Sequence, residues 1–481
     1  MQQLESDIVV IAAGPSGLAA AVSVAEHGAD VIVFEKSNHA GGDALRANQV
    51  FAVESRLQRI RYYTLSREEA FQIWMDHTQW GVNNRLVKKL IDNSADTIDW
   101  LENMGVKFYD LTSHGPGNKY TSHMVWEEAP RPGLGGVSRI IEAMVNKAEK
   151  LGVRIVFKTA GKHIIRENGR ITGVIAEGAD GEQVKVKTKA VIVGTGGTSG
   201  FNPVKPGAKG DGILMVKELG AAVNLGTRKK FQEGGTAHGP FGSGDPMATI
   251  FAVFGQPHLM VNLLGERFMD EEISVVTPLS PAAVVNQKNQ CYFTILDEDT
   301  KNYLIEHGLE FPFGFGIAQF PNIIKEAKNF DIELQHALVK GSDILWAVDS
   351  LEELAAKTGI NLNGLKRTVT EYNLACETGR DEVFNKKARY LRPVKTPKFY
   401  VKKNQVFSYG LPEGIKTTHC MEVITPDFDI IPGLYAVGAD AACNIHREIY
   451  PNMLPGNNLG FCFYSGKTAG EKAVEYIKSL G

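Results

Sequence analysis

The clearest chemistry lies in glycines and one acid within the first 36 residues. Gly14 and Gly17, separated by Pro15 and Ser16, follow the apolar run Ile8–Ile11 and open an Ala-rich stretch. Glu35 closes a second apolar run, Val31–Phe34, and lies 21 residues after Gly14. The two runs read as buried parallel strands, and the stretch from about Ser16 to Glu26 as the helix joining them. Strand, glycine turn, helix, strand and acid in that order form a dinucleotide-binding fingerprint. Gly14 lets the backbone approach a pyrophosphate, and Gly17 lets the helix pack closely on the strand. The free N–H groups and positive end of the helix then face the phosphates. Glu35 stands at the distance where a carboxylate accepts from a ribose 2′-OH. The first glycine of G-x-G-x-x-G is Ala12 here, and the turn is expected to hold if its φ stays negative.

Other residue types exclude chemistry. The five cysteines, Cys291, Cys376, Cys420, Cys443 and Cys462, are odd in number and form no C-x-x-C pair. They read as reduced thiols of a cytoplasmic protein, with no metal or disulfide framework. A net charge of −3 gives no electrostatic reason to expect nucleic acid or an anionic membrane as partner. No apolar run approaches the ~18 residues of a membrane span, and no signal-peptide pattern precedes the first strand.

The elements that must position these residues follow an α/β rhythm. After Glu35, the segment 38–55 holds Gly41 and Gly42 and reads as a loop wrapping a cofactor. Helices are expected at Arg67–Gly81, Arg85–Met104 and Gly133–Lys150. A strand at Val153–Phe157 and a small antiparallel meander between Ile164 and Thr188 follow. Ala190–Val193 meets a second glycine turn, Gly194-Thr195-Gly196-Gly197, and Gly210-Asp211-Gly212 opens another helix. From about Gln232 the rhythm is lost, and it returns near Val423 with a strand at Leu434–Val437 and a long helix at Asn458–Ile477. The expected organisation is a first segment at 1–231, an inserted α+β domain at 232–397 and a second segment of the first domain at 398–481.

Four of these stretches resemble one family. Val9–Glu35 is similar to the FAD-binding N-terminus of two-dinucleotide-binding-domain flavoproteins. Ala190–Gly197 resembles their internal A-T-G-G turn, Ile431–Asp440 (IPGLYAVGAD) their late P-G-L-Y-A-x-G-[ED] segment, and Leu454–Gly470 their terminal helix. With Asn262–Glu271 (NLLGERFMDE), the chain resembles the fumarate reductase and 3-ketosteroid Δ1-dehydrogenase family of FAD oxidoreductases. The resemblance implies a Rossmann-like FAD-binding domain carrying an inserted cap. It also implies FAD contacts at Ala13, Gly14, Pro15, Ser16, Gly17, Glu35, Lys36, Gly41, Gly42, Asp43, Gly161, Thr195, Gly196, Gly197, Asp211, Gly438, Asp440, Gly456, Asn458 and Leu459. Asp440 is where the family places an acid for the ribityl hydroxyls. Gly456 to Leu459 would bring free N–H groups to the flavin C2 carbonyl.

The implied reaction is hydride transfer between flavin N5 and a C=C bond conjugated to a carbonyl, in either direction. Fumarate is disfavoured. Val275 and Met453 stand where fumarate reductases carry arginines, and Gln232-Glu233-Gly234-Gly235 replaces their Q-x-H-P. A dicarboxylate would be left unpaired. A proton donor or carbonyl ligand is expected among Tyr450, His419, Arg447 and Tyr120. His238 and Phe311–Phe315 are expected to line a cleft. An unsaturated carboxylate held by Arg447, or a flavin-carrying electron-transfer component, is the alternative. Electrons must come from outside (NAD(P)H, reduced flavin or a redox protein), since C-x-x-C-H and a second dinucleotide fingerprint are absent from the sequence.

Overall fold

The computed structural model describes residues 2–114, 120–124, 136–198, 208–225, 248–275, 279–310, 327–405, 413–447 and 454–481. Two compact units are present, one built from Met1–Lys230 with Ser408–Gly481 and the other from Phe231–Phe407. The second unit takes in the strand Phe399–Gln405, because that strand lies between Cys291–Asp297 and Leu345–Val348 in one antiparallel sheet. The expected boundary at 397 therefore stops short of it.

In the first unit, β-branched residues buried on both faces dictate a parallel sheet. Ile8–Ile11, Val31–Phe34 and Ala190–Val193 are wholly buried. The strand order is Glu422–Ile424, Ile430–Ala436, Ala190–Val193, Ile8–Ile11, Val31–Phe34, Arg154–Val156. Every pairing is parallel except that of Glu422–Ile424 with its neighbour. The helix Pro15–Glu26 covers this sheet, and the helix Asn457–Ser479 packs along it. Small residues allow that contact: a Cβ on Gly466 would fall 2.2 Å from the Ser16 carbonyl oxygen. The Ser23 hydroxyl also donates to the Lys467 carbonyl at 2.8 Å.

Three smaller sheets complete this unit. Gln2–Glu5, Gln183–Lys187, Arg170–Gly178 and Thr159–Glu167 form the meander, with an N-terminal strand the sequence reading omitted. Gln49–Val50, Tyr120–Met124 and Asp110–His114 form a three-stranded sheet; the first of these strands falls in the segment 38–55 expected to be a loop. Val223–Asn224 pairs with Gly414–Ile415.

The expected helix Arg85–Met104 is two helices, Asn84–Asp92 and Ser94–Asn103. Asn93 Nδ2 bonds the Lys89 carbonyl and Ser94 Oγ the Ile91 carbonyl, so both side chains compete with the backbone at the break. The second unit wraps helices such as Leu351–Thr358 and Leu362–Thr378 around its four-stranded sheet. No helix among the described residues is long and apolar enough to cross a membrane.

Candidate functional site

Parallel pairing sends four strand ends to one edge. Ile11 is in register with Phe34 and with Val193, and Val193 with Ala436. The turns that follow these strands therefore emerge together, at the point where the chain leaves Ile8–Ile11 in both directions across the sheet. Such switch points are where open α/β sheets bind ligands.

The first turn is tied by Glu35. Its Oε2 accepts from the Ala13 N–H and its Oε1 from the Ser37 N–H, both at 2.8 Å. The carboxylate is buried with lone pairs to spare for a ribose hydroxyl. Ala12 donates to the Phe34 carbonyl at 2.8 Å, yet its φ is +86°. The expectation of a negative φ was wrong: the turn keeps the left-handed shape of a glycine and the alanine adopts it. Gly17 is fixed by contact, since a Cβ there would lie 1.9 Å from the Ala12 carbonyl oxygen. Gly14 is different. A Cβ there would meet nothing closer than the Gly194 carbonyl at 3.9 Å, so the protein leaves space beside it. Pro15 begins the helix, and no acid stands in its first turn to compete for a phosphate.

The second turn is held by Asp440. Its carboxylate accepts from the N–H and hydroxyl of Thr195 and, at 3.0 Å, from the Gly197 N–H. Thr195 Oγ1 in turn accepts from the Gly212 N–H at 3.0 Å. Burial raises the Asp440 pKa, and the donors of residues 195–197 oppose that rise. Asp440 thus meets protein donors first. Gly438 donates to Ser465 Oγ at 3.0 Å, and a Cβ on it would strike Ser16 Oγ at 2.4 Å. Strand end, first helix and terminal helix meet there.

Other expected contacts sit at the margin. Lys36 and Asp211 pair with one another at 2.9 Å, both about half exposed. Gly161 packs on the Ile11 side chain, where a Cβ would come to 2.8 Å. Gly41 donates to the Ala13 carbonyl at 2.9 Å, and Gly42 and Asp43 begin the short helix Gly42–Arg46.

At the other end of the site, Gly456 caps the helix Asn457–Ser479 with φ +77°. A Cβ on it would come within 2.7 Å of the Phe51 nitrogen, and its carbonyl accepts from the Phe51 N–H at 3.1 Å. The first N–H groups of this helix, those of Asn458 and Leu459 among them, have no partner within the helix. Two buried polar atoms without a protein partner lie in the same region, Gln49 Nε2 and Asn458 Oδ1. A glycine with only one neighbour at ordinary contact distance, helix N–H groups without a partner inside the helix, and orphaned buried polar atoms together fit FAD.

The sequence reading missed the wall behind this end. Phe51 and Trp74 meet edge to face at 5.9 Å, and Trp74 stacks on His446 at 6.2 Å. Trp74 Nε1 donates to the Ile445 carbonyl at 2.9 Å. Burial pushes the His446 pKa down to about 3, so the ring is neutral. Only the pairwise spacing of aromatic residues could have hinted at this wall, and positions 51, 74 and 446 are too far apart in sequence. Thr198 and Glu413, both buried and joined at 2.7 Å beside the second turn, were missed for the same reason.

The expected catalytic residues come from separate segments of the chain. Arg447 lies along Gly81, where a Cβ would strike its Cδ at 2.6 Å. His419 sits in the turn before Glu422–Ile424, with a pKa lowered by burial and by Lys89 and Arg85, and with Lys472 nearby. Tyr120 opens its strand, but its side chain, like that of Val275, lies outside the described residues. Tyr450, Met453, His238, Gln232–Gly235 and Phe311–Phe315 also lie outside them. Among the described residues no His, Cys, Asp and Glu cluster could hold a metal ion.

Comparison with known proteins completes the description. The family described as "FAD binding domain" matches residues 7–459. A vinyl phenol reductase of Lactiplantibacillus plantarum is 30% identical, with 98% of this chain and 96% of the relative aligned. A fumarate reductase (cytochrome) of Shewanella frigidimarina is 26% identical over 98% of this chain and 77% of its own length. Among solved structures, a 3-ketosteroid-Δ4-(5α)-dehydrogenase of Rhodococcus jostii superposes with a TM-score of 0.73 at 23% identity. That match covers 98% of this chain and 97% of the other.

Proposed function

From the premise that this chain belongs to the FAD binding domain family and is an FAD-dependent oxidoreductase acting on CH–CH bonds, we propose that it reduces the C=C bond of a largely uncharged conjugated alkene. The observation that carries this reading is the alignment, along almost all of both chains, with a relative named for reducing a vinyl phenol. The side chains at 275 and 453 support it. Fumarate reductases carry arginines there, whereas valine and methionine cannot pair a dicarboxylate. An enone or an aryl alkene asks for fewer charges.

When bound, FAD supplies the hydride and takes up the electrons delivered by an external donor. The chain's own tasks are to hold, orient and protonate. The turns held by Glu35 and Asp440 would hold the cofactor. The Phe51–Trp74–His446 wall stands one residue before Arg447, and Phe51 also adjoins Gly456. Between Arg447 and Gly456 the sequence carries Tyr450, whose hydroxyl we assign the proton for the carbon that does not receive hydride. Arg447, three residues before Tyr450, polarises a carbonyl or phenol oxygen of the substrate. The donor is a diffusible nicotinamide, a reduced flavin or a redox protein. The free cysteines suit a reducing cytoplasm.

Anaerobic reoxidation of the reduced protein by a vinyl phenol, an enone, an enoate and fumarate tests the proposal. The neutral alkenes should reoxidise it fastest. Faster turnover with the enoate, lost in Arg447→Leu, would replace this reading by a carboxylate-binding one. Reoxidation by a protein partner alone would end the catalytic reading. Tyr450→Phe should slow turnover by ~10²-fold or more with the flavin retained. A smaller change would move the proton to Arg447 or His419.

A further inference from the structure

Two side chains near the start of the helix Asn457–Ser479 are unsatisfied in complementary ways. Gln49 is 5% exposed, its Oε1 accepts from Ser122 Oγ at 3.1 Å, and its Nε2 has no protein partner. Asn458 Oδ1 is buried and likewise without one. Both residues adjoin Gly456. A Cβ on Gly456 would come 3.1 Å from the Gln49 carbonyl carbon, and Asn458 follows two residues later. Phe51 directly follows the strand Gln49–Val50, and it packs against Gly460, one turn into the helix, where a Cβ would meet its Cβ at 3.2 Å. The Gln49 amide therefore belongs to the helix's N-terminal end. A buried polar atom left unpaired costs about 1–3 kcal/mol, and native proteins rarely keep one without a ligand or water to satisfy it.

One orphan is a donor and the other an acceptor. Among the parts of FAD, the pyrimidine edge of the isoalloxazine ring presents carbonyl, N–H and carbonyl side by side. The pyrophosphate only accepts. We infer that Gln49 and Asn458 bind this edge through their side chains. Gln49 Nε2 donates to a ring carbonyl oxygen, and Asn458 Oδ1 accepts from the ring N3–H. The inference rests on FAD as the cofactor and not on the substrate. The Gln49 donor also faces the part of the ring where negative charge collects on reduction, so it favours the reduced form.

The isosteric variant Gln49→Met separates this role from a structural one. FAD titrated into apoprotein should bind about 5- to 150-fold more weakly, the range that corresponds to losing one buried hydrogen bond. The midpoint potential of the bound flavin should move to a more negative value. The apoprotein should melt at the wild-type temperature or above it, because the variant removes an unpaired buried amide. Asn458→Leu should weaken FAD binding by a similar factor and keeps the test open if Gln49→Met does not fold. Unchanged affinity and potential in both variants would overturn the inference. So would a loss of apoprotein stability that tracks the loss of FAD, since Gln49 would then serve Ser122 and not the ring. Failure of the wild-type protein to take up FAD would overturn this inference together with the cofactor assignment.

Discussion

At Ala12 the backbone stands at φ +86°, a conformation that costs an L-residue about 1–2 kcal/mol and glycine nothing. Part of that gain is offset by the greater freedom of glycine in the unfolded chain. Ala12→Gly should therefore stabilise the apoprotein by about 0.5–1 kcal/mol, seen as a higher melting temperature. A lower one would mean that the methyl group packs usefully. The motif was legible here because its residues are contiguous, whereas the dihedral was not, since nothing in the letters A-A-G-P reports φ. Lys402 shows a different blind spot. Within Val401-Lys402-Lys403-Asn404 it reads as solvated, yet it is 3% exposed in the middle of its sheet, bonded to Asn404. Burial lowers its pKa to about 7. Between about pH 7 and 10 the unfolded chain therefore binds the extra proton, and stability should rise with pH across that window. The rise amounts to a few kcal/mol on the order-of-magnitude rule of ~1.4 per pKa unit. Urea unfolding across this range should show that slope in the wild type and lose most of it in Lys402→Met.

Elements in the second unit are locked by charge. Arg267 reaches Glu271 at 2.7 Å and Asp381 at 2.9 Å, with all three side chains at most 6% exposed. Lys386 joins through Tyr372 at 2.7 Å. Against the cost of burial, the Arg267 guanidinium and the Lys386 N–H hold Asp381 at about 2. This ties the turn after Leu259–Val261 to the segment that follows the helix Leu362–Thr378. Arg267→Met would leave two buried carboxylates facing one lysine. Its expected cost is about 3–5 kcal/mol, measurable by urea unfolding; a cost below ~1 kcal/mol would mean that the lattice is dispensable. The sequence placed Arg267 in a family segment and used it only as a landmark. Its partner lies 114 residues away, a distance that hydropathy and spacing do not bridge. The helices Arg67–Thr78 and Val137–Lys150 were readable from the sequence, whereas Glu298–His307 and Phe330–Val339 in the second unit were not expected from it. Where one was misjudged, at Asn93, short polar side chains had taken over backbone hydrogen bonds.

Across the whole molecule, the ends of the chain build one cofactor site. The α/β class was legible from its repeating strands and helices. The partnership of Thr195 with Asp440, 245 residues on, appeared only in three dimensions. Gly466→Val would drive a side chain into the Ser16 carbonyl, and the purified variant should lose most of its bound FAD, measured as flavin absorbance per protein. Full retention would show that the two helices can separate without harm. Their packing also has a consequence for synthesis. The helix Pro15–Glu26 leaves the ribosome roughly 440 residues before its partner at Asn457–Ser479, a wait of about 20–90 s at ordinary elongation rates. Throughout that interval the side of it that Asn457–Ser479 covers lacks its partner. A nascent chain that stalls before residue 457 cannot close the site, so uptake of the cofactor certifies that translation ran through the last helix.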